Sequence, residues 1–260
     1  MRSVVLASGS EGNSSFVSLD GINILIDLGK NSKYICEKLK EIEVEPSKID
    51  AILISHTHDD HVSALRVFLK KNHPKVFVTK EMLNDLDFLS DYERVALYDE
   101  EIQLEDIKIT AIHSSHDASD SRNFVIEGKK ESIVYITDTG YINRKYFKVL
   151  RNKNYYLMES NHDIEMLMNG PYPKYLQQRI LGSLGHLSNK DSSFYMTKLI
   201  GEDTKKIVLM HLSRTNNTEE KALKMYYDTL KEYDVEFTNI VCARQNEITE
   251  VCDDKSLVRG

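Results

Sequence analysis

The chain has 260 residues, 41% hydrophobic and 29% charged, a globular composition that excludes a disordered or collagen-like protein. Its net charge of -7 argues against coating nucleic acid by bulk electrostatics, though a local basic groove stays open. The apolar stretch at the N-terminus is too short for a signal peptide, no later run approaches a membrane span, and Cys36, Cys242 and Cys252 form no CxxC pair. A cytoplasmic protein without a disulfide framework or thiolate zinc site is expected.

No internal repeat, low-complexity stretch or Pro/Gly linker interrupts the chain, so residues 1–260 read as a single domain. Apolar stretches of strand length occur at Val4–Ala7, Phe16–Leu19 and Ile22–Ile26, with Asp20-Gly21 between the last two as a hairpin signal. In Ser32–Ile42, Ile35, Leu39 and Ile42 share one helical face. Ile49–Ser55 reads as a buried strand, Val62, Leu65 and Leu69 mark a helix, and Val76–Thr79 is another strand. Strands follow at Ile107–Ile112, Asn123–Glu127 and Ser132–Thr137, the last two joined by Gly128-Lys129-Lys130. Helical spacing marks Asn143–Leu150, Asp191–Ile200 and Glu219–Tyr233, with strands at Tyr155–Met158 and Ile207–Met210 among them. Two sets of strands, each followed by helices, predict an α/β fold with two helix-faced sheets, a four-layer αββα sandwich.

The stretch HTHDDH, residues 56–61, spends three of the chain's 9 histidines directly behind an apolar strand. In extended chain His56 and His58 point the same way and can reach one ion, while Asp60 and His61, at the start of a helix, diverge toward a second. Without a metal, each such polar group would need a buried partner or cost roughly 1–3 kcal/mol. An imidazole and carboxylate mixture without thiolate fits a hydrolytic centre. Three more candidates stand at strand ends: His116 in SSHDA, Asp138 in ITDTG and His211 in VLMHLS. His113 competes with His116.

HTHDDH resembles the HxHxDH signature of the metallo-β-lactamase superfamily, and the later His, Asp and His fall in that superfamily's order over essentially the whole chain. The resemblance implies an αββα fold and two divalent ions of Zn, Mn or Fe. His56, His58 and His116 would bind one ion and Asp60, His61 and His211 the other, with Asp138 bridging; SHDA favours His116 over His113. LASGSEGNSS, HDDHVSAL, ITDTGY, ESNHD and GHLSN together are similar to the YycJ/WalJ (VicX) group, reported as exonucleases acting at the 5′ end of DNA. The expected activity is therefore 5′-to-3′ phosphodiester hydrolysis at a single-stranded DNA end, with a bridging hydroxide between ions about 3.5–4 Å apart. A small-molecule metallohydrolase and a metal-bearing regulatory protein without turnover are the alternatives. An oxidoreductase of the flavodiiron type is disfavoured by His58, where that branch has Glu.

Beyond the ligands, Asp60 is expected to orient the nucleophile, and His186 in GHLSN to donate a proton or hydrogen bond to the phosphoryl group. Glu159 and His162 are candidates to support ligands from behind. Ser10 and Asn13, in the early glycine loop, are candidates for holding a terminal phosphate, as are Lys190 and Arg214 beside the late motifs.

Overall fold

The computed structural model describes residues 1–252 of the chain. Its first half comprises β1 (Arg2–Ala7), β2 (Ser14–Leu19), β3 (Ile22–Ile26), α1 (Ser32–Glu41), β4 (Ala51–Leu53), α2 (Asp59–Val62), α3 (Leu65–Phe68), β5 (Lys75–Val78), α4 (Lys80–Asp85) and β6 (Val95–Leu97). The second half runs through β7 (Glu101–Leu104), β8 (Ile107–His113), β9 (Arg122–Glu127), β10 (Ser132–Ile136), α5 (Phe147–Leu150), β11 (Tyr155–Glu159), α6 (Ile164–Asn169), α7 (Lys174–Leu181), α8 (Asn189–Leu199), β12 (Lys206–Met210), α9 (Glu219–Glu232) and β13 (Ile240–Cys242). β14 (Thr249–Cys252) then returns to pair antiparallel with β1.

The strands form two sheets, ordered β14-β1-β2-β3-β4-β5-β6 and β13-β12-β11-β10-β9-β8-β7. In each, a hairpin-connected antiparallel half is followed by parallel crossovers, so the halves repeat one topology. Strand alternation divides the core into three apolar layers. Ile24 and Ile26 of β3, Leu53 of β4 and Val208 and Met210 of β12 pack between the sheets. Leu25 and Ile52 face α1 and α3 through Ile35, Leu39 and Phe68, while Ile207 and Leu209 face α8 and α9 through Met196 and Tyr226. These layers define the four-layer αββα sandwich. No helix among the described residues is long and apolar enough to cross a membrane.

Several boundaries differ from the sequence expectation. The strand read over Ile49–Ser55 pairs only at Ala51–Leu53, because Ser55 N–H leaves the ladder to donate to Asp27 Oδ1 at 2.8 Å. The helix expected after the histidines is split into α2 and α3, and that over Asn143–Leu150 begins as a 3₁₀ turn, Arg144–Tyr146, before α5. Asp20-Gly21 makes the expected tight turn, both residues at positive φ (47° and 86°). β6, β7, β13 and β14 carry no comparable sequence signal.

Candidate metal centre

The parallel strands deliver polar side chains to one rim of the sandwich, where their carboxyl ends meet. Asp27 follows β3, His56 follows β4, Asp138 follows β10, Glu159 ends β11 and His211 follows β12. Asp27, Asp138 and His211 all take left-handed backbone, with φ of 59°, 47° and 58°. That conformation is uncommon outside glycine and turns the side chain sharply off the strand axis.

His56, His58 and His116 each offer a ligand atom within 4.8 Å of the others, and so do Asp60, His61 and His211. Asp138 lies between the groups: its Oδ2 is 3.1 Å from His61 Nε2 and its Oδ1 is 3.6 Å from His211 Nε2 and 3.9 Å from His116 Nε2. His113, by contrast, is half exposed and lies 3.7 Å from Asp120, outside these groups.

Hydrogen bonds fix the ring tautomers. His61 Nδ1 donates to Asp27 Oδ2 at 2.8 Å, His116 Nδ1 to the Gly185 carbonyl at 3.3 Å and His211 Nδ1 to Glu159 Oε1 at 3.2 Å. The Ser55 hydroxyl donates to Asp27 Oδ2 at 2.7 Å, so toward His56 Nδ1, 3.0 Å away, it can only accept. All four rings therefore aim Nε2 at the cluster, the arrangement of metal-ligating histidines backed by a fixed acceptor. His56 Nε2 and His211 Nε2 are buried without any hydrogen-bond partner. Buried donors of this kind, with carboxylates among them, fit divalent cations.

The electrostatics follow from that crowding. Burial, reinforced by His61, pushes His56 well below the ordinary imidazole range, and burial also lowers His116. For His211 burial opposes the charged ring, but Asp138, Asp60 and Glu159 outweigh it and raise it to about 10. Burial likewise works against ionised Asp138 and Asp60, yet His211 and His61 hold both carboxylates well below their usual range. A proton on His211 occupies the place a cation would take.

His186 joins the rim. Its Nδ1 donates to Glu159 Oε1 at 2.8 Å, its ring stacks 5.2 Å from that of His211, and the side chain remains 21% exposed. Burial lowers its affinity for a proton, but Glu159 and then Asp138 more than reverse this, so it is raised. Ser188 caps α8 by accepting from Asp191 N, so the GHLSN stretch both starts a helix and supplies a rim residue. Glu159 is fully buried; its Oε2 accepts from Thr139 N at 3.0 Å and Leu187 N at 3.1 Å. His162 is buried with Nε2 unpartnered and is pushed down to about 4, by burial before all else, but it belongs to none of the ligand groups.

The glycine loop is turned inward rather than open to a phosphate. Gly12 N donates to Gly9 O and Gly9 N to Asn13 Oδ1, leaving Ser10 exposed at the tip. Asn13 reaches the centre, its Nδ2 lying 3.2 Å from Asp60 Oδ2 and 3.0 Å from His61 Nε2. Gly29 is required beneath it, since an added Cβ would collide with the Asp60 carbonyl. Arg214 is neutralised by Glu11, and Lys190 is exposed on the first turn of α8.

Asp27 was not among the sequence candidates. It accepts from Ser55 N, Ser55 Oγ, His61 Nδ1 and, at 3.0 Å, Tyr135 OH. Its signal, an apolar strand ending in Asp within ILIDLG, has the form of ITDTG at Asp138.

The description "Beta-lactamase superfamily domain" matches residues 22–212. The chain is 35% identical over 238 residues to exodeoxyribonuclease WalJ of Streptococcus pneumoniae, covering 89% of this chain and 88% of that one. It is 33% identical over 233 residues to exodeoxyribonuclease YycJ of Bacillus anthracis, covering 88% of each. The metallo-β-lactamase fold protein YhfI from Bacillus subtilis superposes with a TM-score of 0.71 at 15% identity, over 96% of this chain and all of that one, a likeness of fold.

Proposed function

The chain belongs to the metallo-β-lactamase superfamily, and from that premise we propose that it is a metal-dependent 5′-to-3′ exodeoxyribonuclease of the cytoplasm, acting on single-stranded DNA ends. The observation that carries the hydrolytic centre is the set of four imidazoles with Nδ1 engaged behind and Nε2 aimed inward at Asp60 and Asp138. DNA as substrate is supported by the two exodeoxyribonucleases that the chain matches over most of its length. The free thiols of Cys36, Cys242 and Cys252 accord with a reducing compartment.

Two divalent ions, of Zn, Mn or Fe, are the cofactors in this reading. His56, His58 and His116 would hold one, Asp60, His61 and His211 the other, and Asp138 would contact both. Bound there, such ions supply a water nucleophile at neutral pH and charge neutralisation on the phosphodiester. Asp60, kept ionised and steadied by Asn13, orients the attacking water. His186, its hold on a proton raised by Glu159, offers the proton at Nε2 to the departing oxygen, a contribution of roughly 10²–10⁴ in rate.

The test is incubation of metal-loaded protein with end-labelled, 5′-phosphorylated single-stranded DNA, beside an Asp60→Ala, His61→Ala control. Release of mononucleotides from the 5′ end, abolished in the control, is the expected outcome. Turnover of bis(p-nitrophenyl) phosphate without any DNA cleavage would overturn the exodeoxyribonuclease assignment and leave a small-molecule hydrolase.

A further inference from the structure

An open groove of about 1110 Å³ lies between α5 with its leading turn and the outer face of α8. One wall starts close to the centre along the chain. That wall begins at Tyr141, three residues after Asp138, and the facing wall is built by Phe194, Tyr195, Thr197 and Lys198 of α8, the helix that follows His186. A smaller hollow lined by Ser114 and Ser115, next to His116, shares Tyr141 and Asn143 with the groove and connects it to the rim. α8 is about 16 Å long at 1.5 Å per residue, so the groove leads well away from the cluster.

Its lining is basic and aromatic. Arg144, Lys148, Arg151 and Lys198 are exposed along it, and no carboxylate lines it. None of the four forms an ion pair among the described residues, whereas Lys153, Arg179, Arg214 and Lys221 elsewhere in the chain are matched by Glu127, Asp117, Glu11 and Asp163. Asp191, near the mouth, is engaged by the Ser188 hydroxyl at 2.6 Å. In a chain of net charge -7, four unmatched cations in one groove are a local reversal of sign. Between them Phe147 meets Tyr195 edge to face at 6.0 Å, and Lys198 lies 5.2 Å over the Phe194 ring. Cations at intervals with partly exposed rings between them suit a strand whose bases are unpaired; in a duplex the base faces are stacked away.

We propose that this groove carries the single-stranded tract of the DNA substrate downstream of the 5′ end, with phosphates on Arg144, Lys148, Arg151 and Lys198 and bases against Phe147 and Tyr195. The proposal rests on the exodeoxyribonuclease assignment and adds to it the path of the strand.

The test is the triple variant Lys148→Glu, Arg151→Glu, Lys198→Glu, whose positions are all exposed and outside the catalytic cluster. Binding of a fluorescent 5′-phosphorylated oligothymidine is followed by anisotropy with metal-free protein across a salt series. Turnover of the same oligonucleotide and of bis(p-nitrophenyl) phosphate is followed with metal-loaded protein. The variant is expected to bind the oligonucleotide at least about tenfold more weakly, with the slope of log affinity against log salt reduced by about two. KM for the oligonucleotide rises while kcat and the turnover of bis(p-nitrophenyl) phosphate stay at wild-type levels. If wild type cleaves DNA and the variant matches it in affinity, salt slope and KM, the groove is not the strand's path although the exodeoxyribonuclease assignment stands. If wild type hydrolyses bis(p-nitrophenyl) phosphate but neither binds nor cleaves the oligonucleotide, the assignment fails and the proposal with it.

Discussion

Asp27 and His61 share a hydrogen bond of 2.8 Å, Nδ1 donating to Oδ2, and neither side chain reaches solvent. The carboxylate fixes the tautomer of a ring that faces Asp60 and Asp138 on its other side, and it also holds Ser55 and Tyr135. Asp27→Asn preserves the shape but turns an amide N–H₂ toward at least one of these donors. Metal affinity is expected to fall about 10–100-fold, read by chelator competition, with a loss of roughly 1–3 kcal/mol of stability in denaturant melts of the metal-free protein. Wild-type affinity in this variant would remove Asp27 from the centre's support.

Glu159 does for His186 and His211 what Asp27 does for His61. In Glu159→Gln the amide oxygen can still accept from Thr139 N and Leu187 N, but the amide nitrogen then faces both Nδ1 atoms. His211 is driven to the tautomer with its hydrogen on Nε2, and His186 loses the charge that raises it. The expected result is kcat lowered by about 10²–10⁴, with the basic limb of its pH profile moved to lower pH. Equal kcat and an unmoved limb would show that Glu159 is only a packing residue.

Metal-free stability should depend on pH in a defined direction. His211 is raised from 6.5 to about 10, burial being outweighed by Asp138, Asp60 and Glu159, so its contribution is full below 6.5 and is lost as pH rises through about 10. Glu159, where burial is outweighed by His186 and His211, is lowered from 4.5 to about 2, so its contribution is full above 4.5 and is lost as pH falls toward 2. Burial lowers His56, His116 and His162, whose neutral rings favour the folded state only as pH rises toward 6.5, so the melting temperature without metal is expected to be highest near pH 6.5. Added Zn or Mn should raise it most on the alkaline side, where no proton competes for His211. A metal-free melting temperature that climbs above pH 6.5 would contradict this balance.

His113 and His116 separate cleanly by substitution. His116→Ala removes a buried ring that lies 5.1 Å from both His56 and His58, and bound metal per chain should drop by mass spectrometry or atomic absorption. His113→Ala removes an exposed ring outside the ligand groups and should leave metal content and nuclease rate within error of wild type. The reverse pattern would exchange their roles.

Most of the centre could be read from sequence because its residues sit in compact strings behind apolar strands. The strand period places His56 and His58 together, and a turn after each strand carries Asp138 and His211 to the same rim. Strand alternation and helical spacing likewise indicated two helix-faced sheets, since both report which face of an element is buried. Asp27 escaped this reading because one Asp after one strand acquires meaning only from its partner, His61, 34 residues away.

The tertiary structure alone decided the relations that no local pattern encodes. β14 pairs with β1 from the opposite end of the chain, and β6 and β13 are three residues each, too short for periodicity to register. His113 and His116 both follow the same apolar run and only the resemblance of SHDA favours His116; they differ in direction once β8 ends and the chain bends toward Gly185. Arg144, Lys148, Arg151 and Lys198, scattered over 55 positions, come to share a groove only when α5 and α8 pack side by side. The sequence by itself determined which side chains are buried and which chemistry they carry, because burial follows from local period. Which distant side chains meet depends on how the layers dock, and that information is held in the packing of the whole chain.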